Sequence, residues 1–338
     1  MPDSTNLGGI RDGAKNVYEA IAGYAHPSVR RAVWQLVGTF VPFLTLWTLM
    51  IYTVQRGDAY LTTLALAVPT AGLQVRIFIF FHDCCHGSFF ASRRANRILG
   101  YVTGILTFTP FEQWRRSHNE HHAAAGDLDR RGRGDIWTLT VDEYRRASKL
   151  KRLAYRAVRN PVAMLLVGPA FLFGYAYRFP SSGAGRGERT SVWITNLALV
   201  AGVVLAGLTM GWATYAGIQL PILLLSGSAG VWLFYVQHQF KGVYWARHES
   251  WDPLRAALEG SSYYKLPRVL QWFTGSIGLH HIHHAQPRIP NYNLQRCYDE
   301  VSAVRAVNRL NAWQALPALR LKLWDEANQK LVGFRGLG

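Results

Sequence analysis

The stretch AYLTTLALAVPTAGLQVRIFIFFHDCCH, residues 59–86, decides the fold. Residues 59–81 hold a single charge, Arg76, with Asp58 at the margin, and they run without a break into His82. About 20 apolar residues in a helix suffice to cross a hydrocarbon layer of about 30 Å. Three further runs reach that length: 33–53 (VWQLVGTFVPFLTLWTLMIYT), 192–212 and 215–236, all uncharged. One such run could be a buried helix of a large soluble protein. Four of them, in a chain of 338 residues that is 49% hydrophobic, read as membrane spans.

Outward from the spans the chain is basic. Lysine and arginine number 37 against 20 acidic residues, a net charge of +17. From Arg115 to Arg159 the cations recur as Arg115, Arg116, Arg130, Arg131, Arg133, Arg145, Arg146, Lys149, Lys151 and Arg152. Placement between spans is what the positive-inside rule asks of a cytoplasmic face beside anionic lipid. No aromatic-interleaved module accompanies the cations, so nucleic acid is not an expected partner. The first 30 residues are polar or mixed, so the first span is expected to serve as an uncleaved anchor rather than a secretory leader. Cys84, Cys85 and Cys297 are an odd count with two adjacent, which is no disulfide framework; reduced thiols are expected.

Twelve histidines occur, and nine fall in four places. His82 and His86 (HDCCH) stand four apart at the end of the second run. His118, His121 and His122 (HNEHH) use spacings of three and four. His280, His283 and His284 (within HHIHH) repeat that geometry, and His238 closes the last run. Spacings of three and four put imidazoles on one helix face. Clustered ionisable groups at a membrane are costly unless something binds them, so a metal is expected. Nine imidazoles exceed one tetrahedral zinc centre and suit two metals of higher coordination, although imidazole itself serves iron, copper, zinc and nickel alike. No cysteine pattern fits an iron–sulfur cluster, and the Glu-x-x-His pattern of soluble di-iron bundles is missing. Asp83, Glu120 and Gln237 are the expected partners that orient the rings.

A single metal site requires all four histidine places on one side of the membrane. The first two spans return the chain to its starting side before His82. If the apolar run 161–177 also crossed, an odd number of spans would separate His122 from His238. The run is therefore expected to lie in the interface or in the cap. The expected architecture is all-α, with four transmembrane helices in two hairpins and a cytoplasmic helical cap. Residues 1–32 form an N-terminal cytoplasmic segment, 33–300 the membrane domain, and 301–338 a C-terminal cytoplasmic tail.

At these residues the chain resembles the membrane fatty acid desaturases, whose pattern is HxxxH, HxxHH and HxxHH with an added histidine after the last hairpin. GDIWTLTVDEY (134–144) and SSYYKLPRVLQWFTGSIGLHHIHHAQPRIPNYNLQ (261–295) are similar to the bacterial acyl-lipid enzymes related to the delta-12 (omega-6) group. The resemblance implies two iron ions (Fe2+/Fe3+) held by the nine histidines, O2 as co-substrate, and a cis double bond introduced into a lipid-borne fatty acyl chain. It also implies a separate electron donor, such as ferredoxin or a cytochrome b5-like protein, and residence in the bacterial inner membrane. Three positions depart from the pattern. Cys85 stands where many relatives have glycine, His281 adds a histidine that is not expected among the ligands, and Phe234 stands where some relatives have asparagine. The competing readings are a di-iron hydroxylase of fatty acyl, alkane or carotenoid substrates, a zinc-dependent membrane hydrolase, and a non-catalytic metal-binding receptor or channel.

Overall fold

The computed structural model describes residues 16–132 and 134–335; residues 1–15, Arg133 and residues 336–338 lie outside the described residues. Four long helices carry the apolar runs: α1 (Val29–Gln55), α2 (Tyr60–His86), α6 (Arg186–Met210) and α7 (Trp212–His238). Between α2 and α6 lie α3 (Arg93–Leu106), α4 (Phe111–Ala124) and α5 (Lys149–Val158). After α7 come α8 (Arg268–Phe273), α9 (His280–Ala285) and α10 (Asn291–Glu300). All four helices are longer than their apolar runs, although α2 starts one residue inside its run and α6 ends at Met210, two residues short of its run's end, and local chemistry sets their ends. The Ser28 hydroxyl accepts from the Arg31 N–H at the start of α1, satisfying one of the donors a helix start leaves open. Gly87 takes a left-handed φ of 66° and stops α2 directly after His86, as an αL C-cap does. The first histidine pair is therefore the last turn of a spanning helix.

α2 is the central helix. Its most apolar window is 61% buried, against 22%, 17% and 33% for α1, α6 and α7, and it packs on α1, α3 and α7. The outer helices turn Trp34, Leu44, Trp193, Leu197 and Leu208 away from the protein. Continuous apolar surface of this kind is what a bilayer covers. Arg76, the one charge inside the second run, is buried. Its Nε donates to the Thr39 hydroxyl at 3.0 Å, it also donates to the Trp272 carbonyl, and its guanidinium lies 4.3 Å from the Trp272 ring centroid. The cation thus ties α1, α2 and α8 together.

The run 161–177 does not form a straight helix. A π-helical turn at Ala163–Val167, a short α-helix at Gly168–Gly174 and a 3-10 turn at Ala176–Arg178 follow one another, and the whole is bent 68° from α5. It packs along α7, where the Ser228 hydroxyl donates to the Leu165 carbonyl at 2.5 Å and Gly227 faces Pro169.

The described parts of both ends of the chain pack against the rest of the fold. Residues 16–28 dock on α10: Ile21 is fully buried among Leu294, Cys297 and Tyr298, and the Tyr24 hydroxyl donates to Glu300 at 2.6 Å. The described part of the expected tail, 301–335, is woven into the cap. There β2 (Tyr263–Tyr264) pairs in parallel with β3 (Arg309–Leu310), while β1 (Leu139–Thr140) pairs in parallel with β4 (Leu323–Asp325), which pairs antiparallel with β5 (Lys330–Val332). These two- and three-residue strands correct a purely α-helical reading. They are too short to show as alternating patterns in the sequence.

Close approach at α3 gives a first test. A Cβ on Gly104 would stand 2.6 Å from the Thr109 carbonyl oxygen, whereas Gly230 has open space around it. Gly104→Ala should cost about 1–3 kcal/mol by overpacking and lower the melting temperature in detergent. Gly230→Ala, inside α7, should be neutral or slightly stabilising.

Candidate metal centre

Four elements deliver the nine histidines. The end of α2 gives His82 and His86; α4 gives His118, His121 and His122; the last residue of α7 is His238; and α9 gives His280, His283 and His284. The structure brings all nine together in two groups. His82, His86, His118, His122 and His283 form one; His121, His238, His280 and His284 form the other. Within each group the ring nitrogens offered by every member lie within 4.8 Å of one another.

The contacts are between Nε2 atoms. His118 and His122 stand 3.2 Å apart, His122 and His283 3.0 Å, His121 and His238 3.2 Å, His238 and His280 2.9 Å, and His280 and His284 3.1 Å. In several rings the other nitrogen is already engaged. His121 Nδ1 faces the Asp135 carboxylate at 2.5 Å, His82 Nδ1 faces Asp83 at 3.2 Å, and His238 bonds the Gly260 backbone. An N–H directed at those acceptors leaves Nε2 as a bare lone pair. Lone pairs at 3 Å repel, and the buried Nε2 atoms of His82 and His86 have no hydrogen-bond partner at all. A shared cation resolves both problems. Two imidazole nitrogens held about 2.1 Å from one metal at a right angle lie about 3.0 Å apart, as these pairs do. Two groups, of five and four nitrogens, match two metals rather than one tetrahedral zinc.

Burial favours the neutral form, the state a ligand needs, in five of the rings. His118, His122, His280, His283 and His284 are held well below the ordinary histidine range, first by desolvation and then by repulsion from neighbouring histidines.

The partners of the rings differ in part from those expected. Asp83 is fully buried and, besides meeting His82, accepts from the Asn291 backbone at 2.7 Å and from its side chain at 2.8 Å. It thereby joins the first histidine pair to the start of α10. Glu120 instead turns to the surface, where it accepts from Arg116 at 2.9 Å. Gln237 touches no ring in its hydrogen bonding. Its amide donates to the Ile277 carbonyl at 2.8 Å, and its backbone oxygen accepts from Ser262, fixing the loop ahead of α9. The carboxylate on the second box is Asp135, fourteen residues beyond His121 in a loop. It lies in the GDIW stretch, but no helical spacing connects it to the histidines.

Aromatic rings complete the walls. Trp114, one turn before His118, stacks on that ring at 4.2 Å, and Phe234 lies 5.2 Å from His121 and 5.1 Å from His238. A cavity of about 10 Å³, room for one water, is lined by His121, Asp135, Phe234, His238 and Trp245. His281 faces away; its Nε2 donates to the Val304 carbonyl at 3.0 Å, and burial pushes it down to about 4. It belongs to neither group. Cys84 and Cys85 are buried free thiols, and neither group includes them. A much larger cavity, about 890 Å³, opens between Thr140–Arg145 and the strands β4 and β5, and none of the nine histidines lines it.

Four helices long and apolar enough to span a membrane, two of them ending in histidines that join two groups able to hold metal, point to a membrane protein with a candidate metal site. The chain belongs to the fatty acid desaturase family: the family model matches residues 59–315. A fatty acid desaturase of Bacillus subtilis is 47% identical over 323 residues, covering 96% of this chain and 91% of that protein. A chloroplastic omega-6 fatty acid desaturase of Arabidopsis thaliana is 24% identical, over 76% of this chain and 57% of that protein. An sn-1 acyl-lipid omega-3 desaturase (ferredoxin) of Synechocystis is 26% identical, over 68% of this chain and 64% of that protein. The protein is accordingly an oxidoreductase, a fatty acid desaturase.

Two expectations follow. Histidines with a lowered folded-state pKa take up protons more readily when unfolded, so their contribution is intact above the ordinary value of 6.5 and is lost as pH falls below it. Metal retained by the purified protein, read by elemental analysis, should therefore hold above about pH 6.5 and fall off on acidification, together with thermal stability. Asp135→Asn should weaken metal binding about 10–100-fold by releasing the His121 ring. Glu120→Gln should leave metal binding nearly unchanged, since an exposed ion pair contributes about 0–1 kcal/mol.

Proposed function

We propose that the nine histidines hold two iron ions and that the protein uses O2 to introduce a cis double bond into a lipid-borne fatty acyl chain. The observation that carries this reading is the pairing of a five-histidine group with a four-histidine group at the ends of spanning helices. Bound iron would supply the oxidising power that removal of hydrogen from unactivated methylenes requires, a step beyond the reach of acid–base side chains. The protein's own part is positional. His82 and His86 extend α2 out of the bilayer, so an acyl chain that follows the apolar faces of α2 and α7 arrives at the cluster without entering water. Asp83 and Asp135 hold their rings in one orientation, and Trp114 and Phe234 wall the site.

The basic residues support a topology of two hairpins, α1–α2 and α6–α7, with the cap in the cytoplasm and the spans in the bacterial inner membrane. The links at 91–97, 115–159 and 178–190 then share the histidines' side, as the charge rule asks. The same cations suit docking of a separate acidic electron donor. Ferredoxin, named in the Synechocystis and Nostoc relatives, is the donor class we favour over a cytochrome b5-like one. The delta-12 (omega-6) placement is supported by relatives at 24–25% identity. Omega-3 relatives at 26–28% match it equally well, so the position on the chain is set by experiment.

The test is expression in a host lacking polyunsaturated fatty acids, with gas chromatography–mass spectrometry of the acyl chains. A new double bond is expected, absent in His121→Ala and His283→Ala, and its position gives the regiochemistry. Elemental analysis of the purified protein should find two irons per chain. An acyl product carrying oxygen from 18O2 would move the protein to the hydroxylase branch, and a single zinc with no iron would sink the di-iron reading.

A further inference from the structure

From Tyr144 to Gly187 the chain carries nine lysines and arginines and no aspartate or glutamate. Within this stretch α5 has a distinct inner and outer face. Tyr155 and Arg159, four residues apart, point inward and are buried. The Tyr155 hydroxyl accepts from the Leu139 N–H and donates to the Lys322 carbonyl, and Arg159 donates to Gln239 at 2.7 Å. At 100° per residue the opposite arc holds Leu150, Leu153, Ala154, Ala157 and Val158. All five are exposed: Leu150 by 76%, Leu153 by 65% and Val158 by 52%. Lys151 borders this stripe on one side, and Lys149 and Arg156 on the other.

An apolar stripe bordered by cations and turned straight away from the protein is the pattern of a helix lying in a bilayer interface. The stripe is also continuous with surface that lipid must cover. After the 68° bend the chain enters the broken segment packed along α7, which exposes Val162, Leu166, Val167 and Phe171. An acidic protein or a nucleic acid would satisfy the cations and leave the leucines between them uncovered. A bilayer with anionic headgroups satisfies both.

We propose that Lys149–Val158 is a bilayer-surface helix. It seats Leu150, Leu153 and Val158 among the acyl chains and holds anionic phospholipid headgroups with Lys149, Lys151 and Arg156. Because Arg159 ties its inner side to Gln239, the residue after His238, the helix sets the height of the histidine cap above the lipid. This rests on membrane insertion and not on the reaction catalysed.

The full chain in lipid nanodiscs tests it. Leu153→Cys is labelled with bimane, since the three native cysteines are buried; Lys330→Cys, on the exposed side of β5, is the control. Discs of phosphatidylcholine with brominated acyl chains are compared with and without phosphatidylglycerol. Expected are loss of emission at position 153 but not at 330, shielding of 153 from aqueous iodide, and deeper quenching with phosphatidylglycerol. The phosphatidylglycerol effect should disappear in the K149Q/K151Q/R156Q variant. Equal quenching in neutral and anionic discs would overturn the headgroup assignment. A label at 153 that behaves like the one at 330, or is shielded only on adding an acidic ferredoxin, would overturn the whole.

Discussion

The structure depends on one constraint: nine imidazoles must converge in a place with little water, seven of them with Nε2 atoms about 3 Å from a neighbour's. Left to themselves such rings would protonate or turn apart. Burial opposes the first at His118, His122, His283 and His284, whose proton affinity desolvation lowers. Fixed partners prevent the second, with Asp83 on His82 and Asp135 on His121. The cluster is therefore assembled against its own electrostatics, and metal cations bound as proposed would contribute directly to holding the cap closed. Four separate elements converge on it, so binding there links parts of the chain as distant as His82 and His284.

α2 carries the largest share of that load. It is the most enclosed of the long helices, it receives α8 through Arg76 and Trp272, and its last turn supplies two of the nine histidines. A spanning helix satisfies its own backbone, which makes it the one element that can pass from hydrocarbon to water without exposing unpaired groups. Extending it by one turn past the apolar run places chemistry at the boundary while anchoring it in the bundle. α7 does the same with His238, and Gln237 then pins the loop that leads to α9. The two halves of the cluster are thus fixed to the same bundle rather than to mobile loops.

Much of this was legible in the sequence, and the part that was not has a common cause. Runs of apolar residues and histidines spaced by three and four are local patterns, so the spans and the nine histidines could be read directly, whereas the break of 161–177 into π, α and 3-10 turns was not read from its composition. Asp83 could be found because it sits inside a box. Asp135 could not, because a loop rather than a helix brings it to His121. Glu120 misled for the converse reason: it lies within HNEHH, but helical geometry turns it to the outer face, toward Arg116. The weave of 301–335 into the cap was hidden because its pairing runs between strands far apart in the chain, Leu323 with Leu139 and Arg309 with Tyr263.

Placing the metal site at the ends of the spans resolves a conflict between the reactants. In the proposed reaction an acyl chain is soluble only in the hydrocarbon, whereas electrons from a soluble donor and the protons consumed in making water would come from the aqueous side. A cluster in mid-membrane would strand the second supply, and one high in the cap would force the chain through water. The observed site lies one helical turn beyond α2's apolar run, with Phe234 and Trp114 on its walls and a water-sized space beside Asp135. With the chain entering from the bilayer as proposed, the height of those rings above the lipid would matter as much as their mutual spacing, and an element outside the cluster that fixes this height would be part of the catalytic architecture.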